Sequence, residues 1–124
     1  MSKEKVYIFD TTLRDGAQTQ GVDFSIDDKY KISVSLDALG VDYVEGGWPG
    51  ANPTDTEFFN KDHNFENTKL TAFGMTKKSE HSAKNDPMLS SLINSKCSSV
   101  CLFGKSWDFQ VDVALGITNE QNIE

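Results

Sequence analysis

Apolar runs too short to be helices alternate along the chain with segments whose apolar residues recur at helical spacing. Val6-Tyr7-Ile8-Phe9, ending at Asp10, reads as a first strand. Ser25 then opens a helix, with Asp28 three positions on where the helix dipole favours an acid. Ile32, Leu36 and Leu39 fall on one face of that helix, and Gly40 supplies a left-handed stop. Asp42 to Trp48 is a second strand, followed by a loop rich in Pro, Asn and Gly. Thr54 to Glu57 reads as a capping box ahead of Phe58-Phe59. Lys69 to Gly74 is a third strand, and Asp86-Pro87 starts a helix with Met88, Leu89, Leu92 and Ile93 as its apolar face. Cys97 to Phe103 is a fourth strand. Val111, Ala114 and Leu115 mark a short helix, and Thr118 to Gln121 caps one more.

These are four β-then-α units with no linker, repeat array or low-complexity segment between them. Alternating β and α predicts a parallel α/β sheet with right-handed crossovers. The strands recur about every 30 residues, the pitch of a barrel in which about 250 residues make eight units. The pattern fits half of such a barrel and a small open doubly wound sheet equally well. At 124 residues the chain is sized for one domain.

Composition narrows the class. Apolar residues make up 37%, enough for a core, yet no stretch approaches the ~18 apolar residues of a membrane span. Met1 to Lys5 lead straight into strand pattern with no signal-type apolar region, which predicts a cytoplasmic protein. The net charge of −7 argues against nonspecific nucleic-acid binding, which needs a basic face. Lys77-Lys78 reads as a solvated turn. Cys97 and Cys101 are four residues apart, about 13 Å along a strand and too far for a disulfide, so both are expected as buried free thiols.

Polar and glycine residues gather where each strand ends: Asp10, Thr11, Thr12, Arg14, Asp15 and Gln18; Glu45-Gly46-Gly47; Gly74 and Thr76; and Gly104-Lys105-Ser106. In α/β proteins ligands bind outside the carboxyl ends of the strands. Each residue taken alone has a structural explanation, such as a turn cap or an ion pair. Four polar strand ends together point to a site.

Phe9-Asp10-Thr11-Thr12-Leu13-Arg14-Asp15-Gly16-Ala17-Gln18 resembles the signature of the metal-dependent TIM-barrel enzymes that perform aldol and Claisen chemistry. These are the isopropylmalate, homocitrate and citramalate synthases and hydroxymethylglutaryl-CoA lyase. Val44 to Asp55, Phe73-Gly74-Met75-Thr76 and Phe103 to Asp108 resemble the citramalate synthase branch. The resemblance implies the N-terminal half of a (β/α)8 barrel, residues 1–124 forming its first four βα units. It implies branched-chain amino-acid biosynthesis: an acyltransferase condensing acetyl-CoA with pyruvate, or with a larger 2-oxo acid in the isopropylmalate and homocitrate branches. A non-catalytic α/β module that binds a metabolite is the reading from a different class.

The resemblance also assigns roles. Asp15 would be a hard carboxylate ligand for Mg²⁺ or Mn²⁺. Arg14 would stabilise the oxygen that becomes an alkoxide, and Glu45 would hold Arg14 in place. Gln18, Thr76 and Lys105 are weaker candidates for the pocket or the coenzyme. Family members add a His-x-His metal pair, whereas His63 and His81 lack that spacing and read as solvent-exposed loop residues. The 124 residues alone are therefore expected to be inactive. The inward side chains of the half-barrel are expected to include Tyr7 or Ile8, Val44, Ala72 and Leu102, and an open sheet of this kind predicts a homo-oligomer.

Overall fold

The computed structural model describes residues 3–124. Four strands, β1 (Phe9–Asp10), β2 (Tyr43–Gly47), β3 (Lys69–Met75) and β4 (Ser99–Phe103), form one parallel sheet in the order β1-β2-β3-β4. Helices α1 (Ile26–Leu39), α2 (Pro53–Asn60) and α3 (Pro87–Asn94) make the crossovers. After β4 come α4 (Asp108–Gln110), which runs on as a π-helical turn over Val111–Leu115, and α5 (Asn119–Ile123). Strand order that follows chain order, with a helix between each pair, is the arrangement of the first half of a (β/α)8 barrel.

Local signals fixed most element ends. Ser25 and Asp28 form a reciprocal capping box, and Gly40 closes α1 at φ 84°. Asp86 accepts from the backbone of Met88 and Leu89 ahead of Pro87. Thr118 and Gln121 cap α5. β4 starts at Ser99, two residues later than the sequence reading, and β1 and α2 depart from it as well. β1 is only two residues long, because upstream of it Ile8 N donates to the Asp42 side chain at 2.9 Å and not to the backbone of β2. α2 begins earlier than Thr54, with Asn52 as its cap and Pro53 in the first turn, since the Asn52 side chain accepts from Asp55 N at 2.8 Å.

The core lies between the sheet and the helices. Leu13, Val44, Phe58, Phe59, Leu70, Ala72 and Leu92 are its buried members, joined at the margin by Ile32, Leu36 and Leu89. This corrects the expected facing of the strands: Val44 and Ala72 point to the helices. By alternation and register, Leu102, next to Cys101 and paired with Gly74, shares that side. The opposite, barrel-interior face carries Tyr43, Glu45, Thr71, Phe73, Cys101 and Phe103. Parallel strands are apolar on both faces, so hydropathy alone leaves their phase undetermined. Leu39 and Ile93 are largely exposed and take no part in the core.

β2 is not regular. Its register to β3 runs Glu45↔Thr71 and then Gly47↔Ala72, so Gly46 is an extra residue, a bulge. A Cβ on Gly46 would lie 2.8 Å from the Phe58 ring, and one on Gly47, where φ is 144°, 2.5 Å from the Asp55 carboxyl carbon. Neither position admits a side chain.

Candidate active site

The segment after β1 is a tight, self-bonded turn. Thr11 O accepts from the backbone N–H of Arg14, Asp15 and Gly16 at 3.2, 2.8 and 3.1 Å, and Asp10 caps Thr12 N at 3.0 Å. Leu13 is fully buried in the helix-side core, which anchors the turn beneath its neighbour Arg14. Arg14 reaches across to β2, where its Nε donates to Glu45 Oε2 at 2.8 Å. Its Nη1 lies 3.3 Å from Asp15 Oδ1. The guanidinium also sits 4.2 Å from the centre of the Phe73 ring, a cation–π contact that holds its plane. Trp48 packs edge-on against the same ring at 5.4 Å.

The Glu45 side chain is 1% exposed and Arg14 19%, whereas Asp15 is 65% exposed. A carboxylate buried as deeply as Glu45 persists as an ion only with a partner, and Arg14 is that partner. The site therefore has a fixed inner carboxylate, an oriented arginine and an outer, accessible carboxylate. Arg14, Asp15 and Glu45 come together at the carboxyl ends of β1 and β2, as the spacing of the strand ends predicts.

Of the weaker candidates, Gln18 borders the same cavity as Arg14, a hollow of about 320 Å3 also lined by Trp48, Asn52 and Asp55. Thr76 and Lys105 do not line it. Thr76 N bonds Phe103 O at 3.2 Å, and Lys105 Nζ lies 5.1 Å from the Phe103 ring centre, so both stand at the β3–β4 side.

Three groups here escaped the sequence reading. Cys101 sits by Glu45 on the inner face; burial pushes its thiol up, and the Glu45 charge adds to the effect. It is half-buried and free, as is Cys97, which donates to Ser99 O. Lys29 is 2% exposed and pairs with Asp55, itself buried. A lysine three residues before Ile32 and seven before Leu36 was the available signal, since all three lie on one stripe of α1.

Both histidines differ from the expectation of exposure. The His63 ring packs 4.5 Å from Phe58 and 5.5 Å from Phe65, and its Nε2 donates to Phe58 O at 2.7 Å. His81 is partly buried, with Nδ1 3.2 Å from Asp86 Oδ2. Asp86 also accepts from Lys78 N, Leu89 N and Met88 N, and these bonds, led by that from Lys78, hold its carboxyl down at about 2. Asp86 thereby ties the loop after β3 to the start of α3.

The parallel sheet, its strand order and the polar corner at its strand ends define the first half of a TIM barrel. The chain belongs to the HMGL-like family, whose model matches residues 5–124. Among known proteins it is 52% identical over 122 residues to the (R)-citramalate synthase of Aquifex aeolicus (strain VF5), a match covering 97% of this chain and 23% of the relative. It is 47% identical over 126 residues to the (R)-citramalate synthase of Sulfolobus acidocaldarius, covering 100% of this chain and 24% of the relative. A 2-isopropylmalate synthase of Listeria monocytogenes serotype 4a is 48% identical over 54 residues, 44% of this chain and 10% of that protein. The chain thus spans less than a quarter of the length of these relatives. Among the described residues no helix is long and apolar enough to cross a membrane.

Proposed function

We propose that this chain supplies the first half-barrel of an acyl-CoA-condensing enzyme of the citramalate synthase type, joining acetyl-CoA to pyruvate. The observation that carries the reading is the Arg14 Nε–Glu45 contact of 2.8 Å beside an accessible Asp15. Glu45 occupies the Nε edge of the guanidinium and Asp15 touches Nη1, which leaves terminal N–H groups free to meet substrate. As the enolate of acetyl-CoA attacks the 2-oxo carbonyl, negative charge grows on that oxygen, and Arg14 donates to it. Because Glu45 fixes the fork beforehand, little reorganisation is needed at the transition state. Gln18 faces the cavity beside Arg14 and is assigned to the substrate; Thr76 and Lys105, across the strand ends, are assigned to the coenzyme. The extent of identity to proteins named (R)-citramalate synthase supports pyruvate over a larger 2-oxo acid.

The Asp15 carboxylate keeps Oδ2 free of protein partners among the described residues. That fits one ligand of a divalent cation, which favours about six oxygens. The described residues bring together no group of three His, Cys, Asp or Glu side chains able to hold a metal, so Asp15 would be a single contribution to a larger ligand set. Such an ion would polarise the 2-oxo carbonyl as a Lewis acid.

The test is a chimaera in which these 124 residues replace the matching segment of the Aquifex aeolicus relative. Purified, it is expected to release coenzyme thiol from acetyl-CoA in the presence of pyruvate and to form citramalate. Arg14→Met should lower kcat by ~10²–10³, the cost of losing one oxyanion donor. Turnover with a larger branched 2-oxo acid and none with pyruvate would favour the isopropylmalate reading. A folded chimaera with no turnover on either would refute the condensing function.

A further inference from the structure

Beside the Arg14 corner the described residues hold a second buried ion pair. Lys29 enters the core from α1, its Nζ donating to Gly46 O at 2.9 Å and to Asp55 Oδ1. Asp55, from α2, uses Oδ2 to accept from Trp48 N at 2.8 Å and from Asn52 Nδ2 at 2.9 Å. Apart from the Lys29–Asp55 contact itself, each of these bonds grips the segment from Gly46 to Asn52. The carboxyl of Asp55 also fills the space where Gly47 would carry a side chain.

A buried ion pair is an uneconomical way to join two helices, since well-packed apolar residues of similar volume hold helices together as well or better. What an apolar pair cannot do is bind a carbonyl and an amide at defined points. The bound groups, Gly46 O and Trp48 N, flank the bulge that begins one residue after Glu45. A bulge re-aims the side chains on either side of it. Here the re-aimed side chain is Glu45, and it ends on Arg14 Nε.

We propose that Lys29 and Asp55 are positioning residues for Arg14: by pinning the β2 bulge they direct Glu45 onto the guanidinium and so set where its free N–H groups point. The proposal rests on Arg14 being the oxyanion-facing group. Its test reads the position of Arg14 and not turnover, so either claim can fail while the other stands.

Arg14 is the only arginine in the chain, so a ¹⁵N-labelled sample gives one Arg Nε–H cross-peak with no assignment problem. In the wild-type chain that peak should lie away from the free-arginine position and exchange slowly with water. Glu45→Gln calibrates the loss of the contact by moving the peak to the free position. Lys29→Met combined with Asp55→Leu replaces the pair by apolar volume and leaves no unpaired buried charge. This variant should keep a dispersed amide spectrum, yet its Arg14 peak should move to the Glu45→Gln position. Leu92→Val, in the core but outside these bonds, serves as the control for general loosening and should leave the peak in place. An unmoved peak in the folded double variant overturns the proposal. So does an equal displacement in Leu92→Val, or a double variant and a Lys29→Gln variant that both fail to fold, since the pair would then be a stability element only.

Discussion

Asp86 offers the best-defined handle on the stability of this fold. Its carboxylate is buried and accepts from three backbone N–H groups and the His81 ring, which lowers its pKa from the ordinary 3.8 to about 2. At ~1.4 kcal/mol per unit, that drop makes the ionised side chain worth about 2 kcal/mol more to the folded state than the neutral one. Because the folded value lies below the unfolded one, this contribution is fully present above about pH 5 and is lost as pH falls through about 2. Asp86→Asn keeps the shape and removes the charge, so it mimics the protonated state at every pH. Urea unfolding followed by circular dichroism should show the variant about 2 kcal/mol less stable than wild type at pH 7. The gap should shrink steadily between pH 5 and pH 2. His81→Ala should cost clearly less, since the lead bond is that from Lys78 N and the capping bonds to Met88 and Leu89 remain. A difference at pH 7 below about 0.5 kcal/mol, or a gap that does not narrow in acid, would refute the assignment of Asp86 as the anchor of this loop.

Gly47→Ala should destabilise by ~2–3 kcal/mol in the same urea assay, because a methyl there meets the Asp55 carboxyl at 2.5 Å on a backbone of φ 144°; a loss below 1 kcal/mol would show that the bulge yields. Sedimentation of the 124-residue chain at tens of micromolar should give a dimer or larger species, since Tyr7, Phe9 and Phe103 are exposed apolar residues on or beside an open sheet; a folded monomer would refute this. Calorimetry should find Mn²⁺ binding no tighter than the millimolar range, abolished by Asp15→Ala, and micromolar binding that survives the substitution would remove Asp15 from the ligand set. In a thiol-release assay the same chain should show no condensation of acetyl-CoA with pyruvate, and metal-dependent turnover lost in Asp15→Ala would overturn that expectation.

What was legible in the sequence was what is decided locally. The caps at Ser25, Asp86 and Thr118, the stop at Gly40 and the polar strand ends each depend on residues within a few positions of one another. So the elements, their order and the meeting of Arg14 with Glu45 could be inferred before any coordinates. The facing of the strands could not, because Val44 and Glu45, or Ala72 and Phe73, differ by one residue in phase, and Ala72-Phe73 are both apolar while Glu45 is a charge turned to the barrel interior. Lys29 was hidden for a related reason: a lysine in an amphipathic helix is read as solvent-facing, and only its partner 26 residues away makes its burial possible. His63 was misjudged in the same manner, its polar flanks masking a pocket made by Phe58 and Phe65.

A sheet whose spatial order repeats its chain order has a bearing on how the molecule is made. Each strand pairs with the one synthesised just before it, and each crossover helix covers strands already present. No strand waits for a distant partner, so the loop-closure entropy of every pairing is that of a single βα unit. The helix-side core of Leu13, Val44, Phe58 and Leu70 can therefore close while translation continues. Growth of the chain and growth of the fold run in the same direction, one unit at a time.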